Sequence, residues 1–261
     1  MRNFNFFKRL CLGAALVAAG VMAQAQGITQ SAFLNFGFPT GQFHEQAVPE
    51  AGYLLTKDYI GTNAGAGIGF GYRAGYSFDV GVGDVTGFLD ANLFWNRVRN
   101  DVRSNIITNN GKSSYYFNIP ILLGVQYTYP LTDVFRPFAE FAVGYDLFRV
   151  APEGWKDNQV ASQGKLYAKY SVGGAFAYQL GAGCYFGEHV SASLNFFGLG
   201  QHTINYNEKR TSRELYNPQP LKDDAGNPIL GPDGNQLMSN VNNNNVMRRA
   251  NVLAIRIGFH L

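Results

Sequence analysis

The amino-acid sequence predicts an all-β fold, an eight-stranded antiparallel transmembrane β-barrel, and three observations predict it. Tyr115–Tyr129 (YYFNIPILLGVQYTY) alternates without a break, and seven other segments share its period. The connections between these segments alternate long and short. Within Tyr115–Tyr129 one row is Tyr115, Phe117, Ile119, Ile121, Leu123, Val125, Tyr127 and Tyr129, and the other is small, mixed and polar. Period 2 is a strand with a different environment on each face. The run exceeds the usual strand of about five or six residues. Its apolar row begins and ends in tyrosines, as expected where rings meet two membrane interfaces about 25 Å apart. That row is predicted to face lipid, and the mixed row the inside of a closed barrel.

The N-terminus reads as an export signal. Arg2, Lys8 and Arg9 precede the apolar run Leu10–Met22, and Ala23-Gln24-Ala25 supplies a small-x-small cleavage pattern. Residues 1–25 are therefore expected to be a signal peptide for the Sec pathway, with a mature chain 26–261. The run is too short for a membrane-spanning helix, and no later one approaches the ~20 apolar residues required. Loss of the leader leaves 18 basic and 18 acidic residues, a balance with no nucleic-acid footprint. Cys11 leaves too, so Cys184 has no intramolecular disulfide partner. With 31 glycines, 15% aromatic and only 15% charged residues, the composition suits strands and tight turns with an apolar exterior.

Taken in order, Ile28–Phe38 places Ala32, Leu34, Phe36 and Phe38 on one face and Ser31, Asn35 and Gly37 on the other. Ala64–Phe78 turns Ile68, Phe70, Tyr72, Ala74, Tyr76 and Phe78 outward, with Arg73 and a row of glycines inward. Small inner residues let a narrow barrel close. Val85–Asn96 points Leu89, Ala91, Leu93 and Trp95 out, and Asp90, Asn92 and Asn96 in. After Tyr115–Tyr129, Arg136–Phe148 points Ala139, Phe141, Val143, Tyr145 and Leu147 out, and Glu140, Gly144 and Asp146 in. Lys169–Phe186, Val190–Gly198 and Asn251–Leu261 complete the set, with Lys169, Gln179 and Arg256 inward.

Each segment provides most or all of the 9–11 residues that a tilted transmembrane strand needs. With the N-terminus in the periplasm, the long connections 39–63, 97–113, 149–166 and 199–247 fall outside the cell and the three short turns inside, the asymmetry of outer-membrane barrels. A soluble eight-stranded barrel would instead turn its greasy row inward.

NFGFPTG (Asn35–Gly41), IPILLGVQY (Ile119–Tyr127) and RPFAEFAVGY (Arg136–Tyr145) resemble the outer-membrane β-barrel domain family, small porin-like barrels with the architecture of the OmpA and OmpX type. The resemblance spans the mature chain. It implies the bacterial outer membrane, outer-membrane lipids as neighbours, and recognition by the barrel-assembly machinery through the C-terminal strand 251–261. Such barrels usually end in an aromatic residue; this chain ends in Leu261, with Phe259 in register to serve instead. The fold does not name an activity, since such barrels host unrelated roles.

Six inward charges are the candidate lumen network: Arg73, Asp90, Glu140 and Arg256 at similar depth in the periplasmic half, and Asp146 facing Lys169 near the extracellular rim. Buried charges are costly unless paired, so a closed salt-bridge network is expected. The expected lipid-facing aromatic belt is Phe38, Tyr72, Tyr76, Trp95, Tyr115, Tyr127, Tyr129, Tyr145, Phe186 and Phe259. His189-Val190-Ser191 resembles the His-x-Ser pattern of outer-membrane lipid A deacylases, but it sits at a periplasmic turn with both side chains expected inward and no base or third partner beside it. His44 and His202 are expected in loops, and the four scattered histidines make no metal site. The 199–247 connection carries Asp223, Asp224 and the turn-rich Gly226–Asn235, whose spacing matches no EF-hand. Glu208-Lys209-Arg210 and Arg248-Arg249 are expected near the outer headgroups, and the Asn242–Asn245 run is expected to be flexible. The expectation is a non-enzyme without cofactor, acting structurally or by binding an extracellular ligand of unknown identity. A narrow channel and, further off, a lipid-modifying enzyme are the alternatives.

Overall fold

A computed structural model describes residues 27–46, 61–99, 115–151, 153–156, 165–210 and 242–261 of the chain; for 153–156, 165–170, 205–210 and 242–247 it describes the backbone alone. The strands are β1 (Ile28–Thr40), β2 (Ala64–Asp79), β3 (Asp84–Val98), β4 (Tyr115–Thr128), β5 (Phe135–Val150), β6 (Glu153–Lys156), β7 (Lys165–Tyr170), β8 (Gly173–Phe186), β9 (Val190–Arg210) and β10 (Asn242–His260). Every pairing is antiparallel. The ladder runs β1-β2-β3-β4-β5-β8-β9-β10, and β10 pairs back onto β1, so eight strands close a barrel. β6 and β7 form a hairpin that continues the sheet from the upper end of β9.

The outer face follows the alternation read from the sequence. Along β4, Ile121, Leu123, Val125 and Tyr127 are exposed, while Tyr116, Asn118, Leu122 and Gln126 are buried. Leu123 at 66%, Phe176 at 63% and Phe70 at 59% exposure are among the barest side chains of a wall dominated by Leu, Ile, Val and Phe. A soluble monomer rarely shows apolar patches beyond a few hundred Å². A continuous wall of this kind, enclosing buried arginines and carboxylates, is a hydrocarbon-facing surface, and the fold is a transmembrane β-barrel.

Two rings of aromatic side chains bracket that wall. Phe38, Trp95 and Tyr115 lie at the ends of strands beside the long connections. Tyr76, Tyr127, Tyr129, Phe186 and Phe259 lie beside the short turns and the C-terminus. Tyr72 and Tyr145 depart from the expected belt. They sit mid-strand, Tyr72 opposite Ala32 and Ala91 and Tyr145 opposite Ile121 and Phe176. The Tyr72 hydroxyl donates to Gln30 Oε1 at 2.7 Å, and the Tyr145 ring lies over Gly174, so neither needs a headgroup partner.

The connection expected over 199–247 is shorter than its composition implied. β9 runs on to Arg210, and β10 begins at Asn242, so the Asn242–Asn245 run is strand, paired with 205–207. A β-bulge hid this continuity. Leu199 and Gly200 together face Ala250, between the pairs Gly198↔Asn251 and Gln201↔Arg249. Gly200 adopts φ +81°, the left-handed conformation that glycine accepts without steric cost. Across the bulge the inward row changes from odd to even positions: Asn195, Phe197 and Leu199 are buried below it, His202 and Ile204 above it. Strict period 2 breaks there, and the strand reads as loop. The strand expected over Lys169–Phe186 is likewise divided at Ser171-Val172 into β7 and β8. Residues 1–26 and the turn-rich 211–241, with Asp223, Asp224 and Gly226–Asn235, lie outside the described residues, as do the side chains of Glu208-Lys209-Arg210.

Leu123 lies in the middle of β4 on the outer face. Leu123→Arg is expected to cost about 2–4 kcal/mol, the penalty for a cation near the bilayer midplane. Urea unfolding from phospholipid vesicles measures it. A change within about 0.5 kcal/mol, usual for a water-facing surface, would contradict the lipid-facing wall.

Candidate functional site

The lumen is the candidate site, and its half beside the short turns is built around two arginines and two carboxylates. Arg73 comes from β2, Asp90 from β3, Glu140 from β5 and Arg256 from β10, all on the inner row. Arg73 Nη2 lies 2.8 Å from Asp90 Oδ2, and its Nη1 2.6 Å from Glu140 Oε2. Arg256 Nη2 lies 2.8 Å from Asp90 Oδ2, and its Nη1 3.7 Å from Glu140 Oε1. Arg73 and Asp90 are direct neighbours on adjacent strands, whereas β2 and β5, β3 and β10, and β5 and β10 are each three strands apart around the ring, so the other three ion pairs span the lumen.

Amides extend the network. Gln126 Oε1 accepts from Arg73 Nη1 at 2.9 Å, and Asn92 Oδ1 accepts from Arg256 Nη2 at 3.0 Å. Gln179 donates to Glu140 at 2.6 Å and to Asn195 at 2.9 Å. Aromatic faces cover the cations: Arg73 lies 3.6 Å from the centroid of Phe88, and Arg256 3.6 Å from that of Phe33. Room for this comes from missing side chains. A methyl group at Gly71 would overlap Asn92 Oδ1, and one at Gly181 would overlap Asn195 Oδ1.

The half beside the long connections is apolar and aromatic. After β1 a short 3-10 turn, Gly41–Phe43, folds Phe43 into the mouth, fully buried. Its ring lies 5.3 Å from Tyr116 and 5.9 Å from Phe148, while Phe94 and Phe197 meet below at 4.9 Å. The segment expected to be an extracellular loop from residue 39 thus begins by closing the barrel. Its far end is tied as well, since Tyr116 Oη donates to the Thr62 carbonyl at 2.9 Å.

The expected pairing of Asp146 with Lys169 falls on a side chain outside the described residues. Ala175 stands opposite Asp146 on β8, whereas Lys169 belongs to β7, opposite Asn207, with its side chain outside the described set. Asp146 meets His202, expected in a loop and now on β9 above the bulge, at 3.1 Å with both side chains fully buried. The contact reaches over β8, where Gly173, Ala175 and Ala177 leave the inner face low. Only the bulge at Gly200 puts His202 on the inner row, and period counting from Val190 misses it.

His189 and Ser191 do not combine. His189 is exposed at the turn, with Nδ1 3.3 Å from the His260 carbonyl oxygen. His260 takes its place: Nδ1 lies 2.7 Å from Ser31 Oγ and Nε2 2.8 Å from Ser191 Oγ. Both ring nitrogens are occupied by hydroxyls. Ser31 and His260 line a polar cavity of about 190 Å³ at the mouth beside the short turns, together with Tyr185, Arg136 and Arg73. Alternation from Arg256 through Gly258 identifies His260 as inward, but nothing in the sequence reports that Ser31 and Ser191 flank it. His44 Nδ1 lies 3.1 Å from the Ala64 carbonyl, a structural contact at the opposite end.

Closed pairing, a lipid-facing wall and a filled lumen define a class: a small eight-stranded barrel of the outer-membrane type. No protein-family model and no curated protein matches the chain. Among solved structures, it is similar to the crystal structure of the outer membrane protein OprG from Pseudomonas aeruginosa, with a TM-score of 0.43 and 16% identity over 90% of this chain and 94% of that one. It is also similar to an outer membrane channel from Pseudomonas putida F1, with a TM-score of 0.20 and 8% identity over 91% of this chain and 98% of that one. The assignment rests on the chain's own strand pairing and surface.

Removing one partner of a buried ion pair strands the other. Arg256→Ala is expected to destabilise the barrel by about 3–5 kcal/mol, read as a lower temperature for loss of the compact band in heat-modifiability gels. An unshifted transition would show that the lumen charges are not coupled. Phe43→Ala is expected to cost about 3–5 kcal/mol by emptying part of an aromatic core. Equilibrium unfolding in detergent tests this, since truncating a freely solvated loop residue would leave stability unchanged.

Proposed function

We propose that this chain is a bacterial outer-membrane protein, exported by its N-terminal signal, whose barrel is a sealed, non-catalytic anchor and whose work is done at the extracellular face by its long connections. The observation that carries the reading is the occupied lumen. The Arg73–Asp90–Glu140–Arg256 network bridges the wall at one level, and the Phe43, Tyr116 and Phe148 rings fill the mouth above it. An eight-stranded barrel has an interior just wide enough for its own side chains. The absence of a catalytic role is supported by His260, whose two nitrogens both face serine hydroxyls, leaving no position for an orienting carboxylate.

A narrow gated channel is the second reading, favoured by the polar cavity of about 190 Å³ that opens at the periplasmic mouth and ends on Arg73. Planar-bilayer recording separates the two. The sealed anchor is expected to give no stable single-channel steps at neutral pH and moderate salt. Reproducible steps from the unmodified chain, abolished when Arg73 or Arg256 is replaced, would establish the channel instead.

A further inference from the structure

The outer wall contains a groove of about 310 Å³ at the end of the barrel beside the long connections. Phe36 and Phe38 of β1 line one side and Trp95 and Arg97 of β3 the other, with Ile68 of β2 level with Phe36 and Trp95 and closing one end. The slot opens beyond Ile68 because β2 carries only Ala66 and Gly67 there, at a register shift between the pairs Ala64↔Val98 and Gly67↔Asn96. Gly67 cannot carry even a methyl group, which would overlap the Trp95 carbonyl. Trp95 is held upright by Tyr115 at 5.4 Å and Phe117 at 6.0 Å, so the groove has a fixed side rather than a mobile one. At its upper end stands Arg97, on the same outward row as Trp95, exposed, and in no ion pair among the described residues.

We propose that this groove binds a phosphorylated outer-leaflet lipid, with one acyl chain between Phe36, Phe38 and Trp95 and the lipid's phosphate on Arg97. The inference rests on the reading of the wall as lipid-facing and adds a defined site to it. Only hydrocarbon reaches an apolar slot on such a wall, which makes the occupant an acyl chain. The unpaired guanidinium one position above the aromatic ring makes the head an anion, since a fork of N–H donors matches phosphate oxygens.

The test uses fluorescence. The chain has two tryptophans, and Trp155→Phe leaves Trp95 as the sole emitter. This variant is reconstituted in phosphatidylcholine vesicles doped with phosphatidic acid or phosphatidylcholine carrying the same dibrominated acyl chains. Both lipids are expected to quench Trp95, with brominated phosphatidic acid reaching half-maximal quenching at an about fivefold lower mole fraction, the factor that roughly 1 kcal/mol per basic residue implies. Arg97→Gln is expected to erase the difference, and Ala66→Leu, which fills the slot, to bring phosphatidic acid back to the phosphatidylcholine curve. Heat-modifiable migration verifies that each variant is folded. Equal curves for the two lipids in the parent, or a preference that survives Arg97→Gln, would overturn the site and leave the lipid-facing wall standing. No quenching by either lipid would remove both.

Discussion

A strand in hydrocarbon has no solvent to complete its hydrogen bonds, so a crossing sheet must close on itself. β10 meets that requirement by pairing with β9 on one side and β1 on the other. Closure at eight strands has a second consequence, because the enclosed space is narrow and shielded from bulk water. Charged side chains turned inward must find opposite charge there. Two arginines and two carboxylates do so as a set of two cations and two anions, with amides and aromatic faces adding further contacts to the guanidinium groups. The inner glycines follow from the same limit. Gly71 and Gly181 stand where the network crosses the wall, and any side chain there would displace it.

The upper half of the barrel solves the same problem by different means. Aromatic rings fill the space, and one of them, Phe43, is supplied by the chain after it has left β1. The bulge at Gly200 belongs to this arrangement. By exchanging the inward and outward rows of β9, it delivers His202 and Ile204 to the interior and lets His202 meet Asp146 over the low inner face of β8. The lumen is therefore layered, polar and ionic toward the short turns and aromatic toward the long connections. An open polar cavity lies at the end beside the short turns, lined by Ser31 and His260 among others.

The barrel's wall was legible in the sequence because a pleated strand presents alternate residues to opposite faces, whatever its neighbours are. Tyr115–Tyr129 carries its apolar row on the exposed side, and Arg73, Asp90, Glu140 and Arg256 are inward by the same counting. Their meeting at one depth was legible too, from their distances to the turns. The failures arise where alternation along one strand carries no information. Tyr72 and Tyr145 match an interfacial composition but sit mid-wall, because register across neighbouring strands, not residue type, sets depth. β9 beyond Gly198 reads as loop because one extra residue reverses the parity on which the reading depends.

The sequence by itself determined the eight strand cores of the barrel, which row of each core meets hydrocarbon, and which charges must find partners inside, since these follow from period and from the cost of burial. Tertiary structure alone decided that Asp146 would meet His202, that His260 would stand between Ser31 and Ser191, and that Phe43 would close the mouth. Those contacts join residues far apart in the chain. Their existence depends on ladder register, on a glycine bulge and on small residues that lower one strand, none of which alternation along a single strand can report.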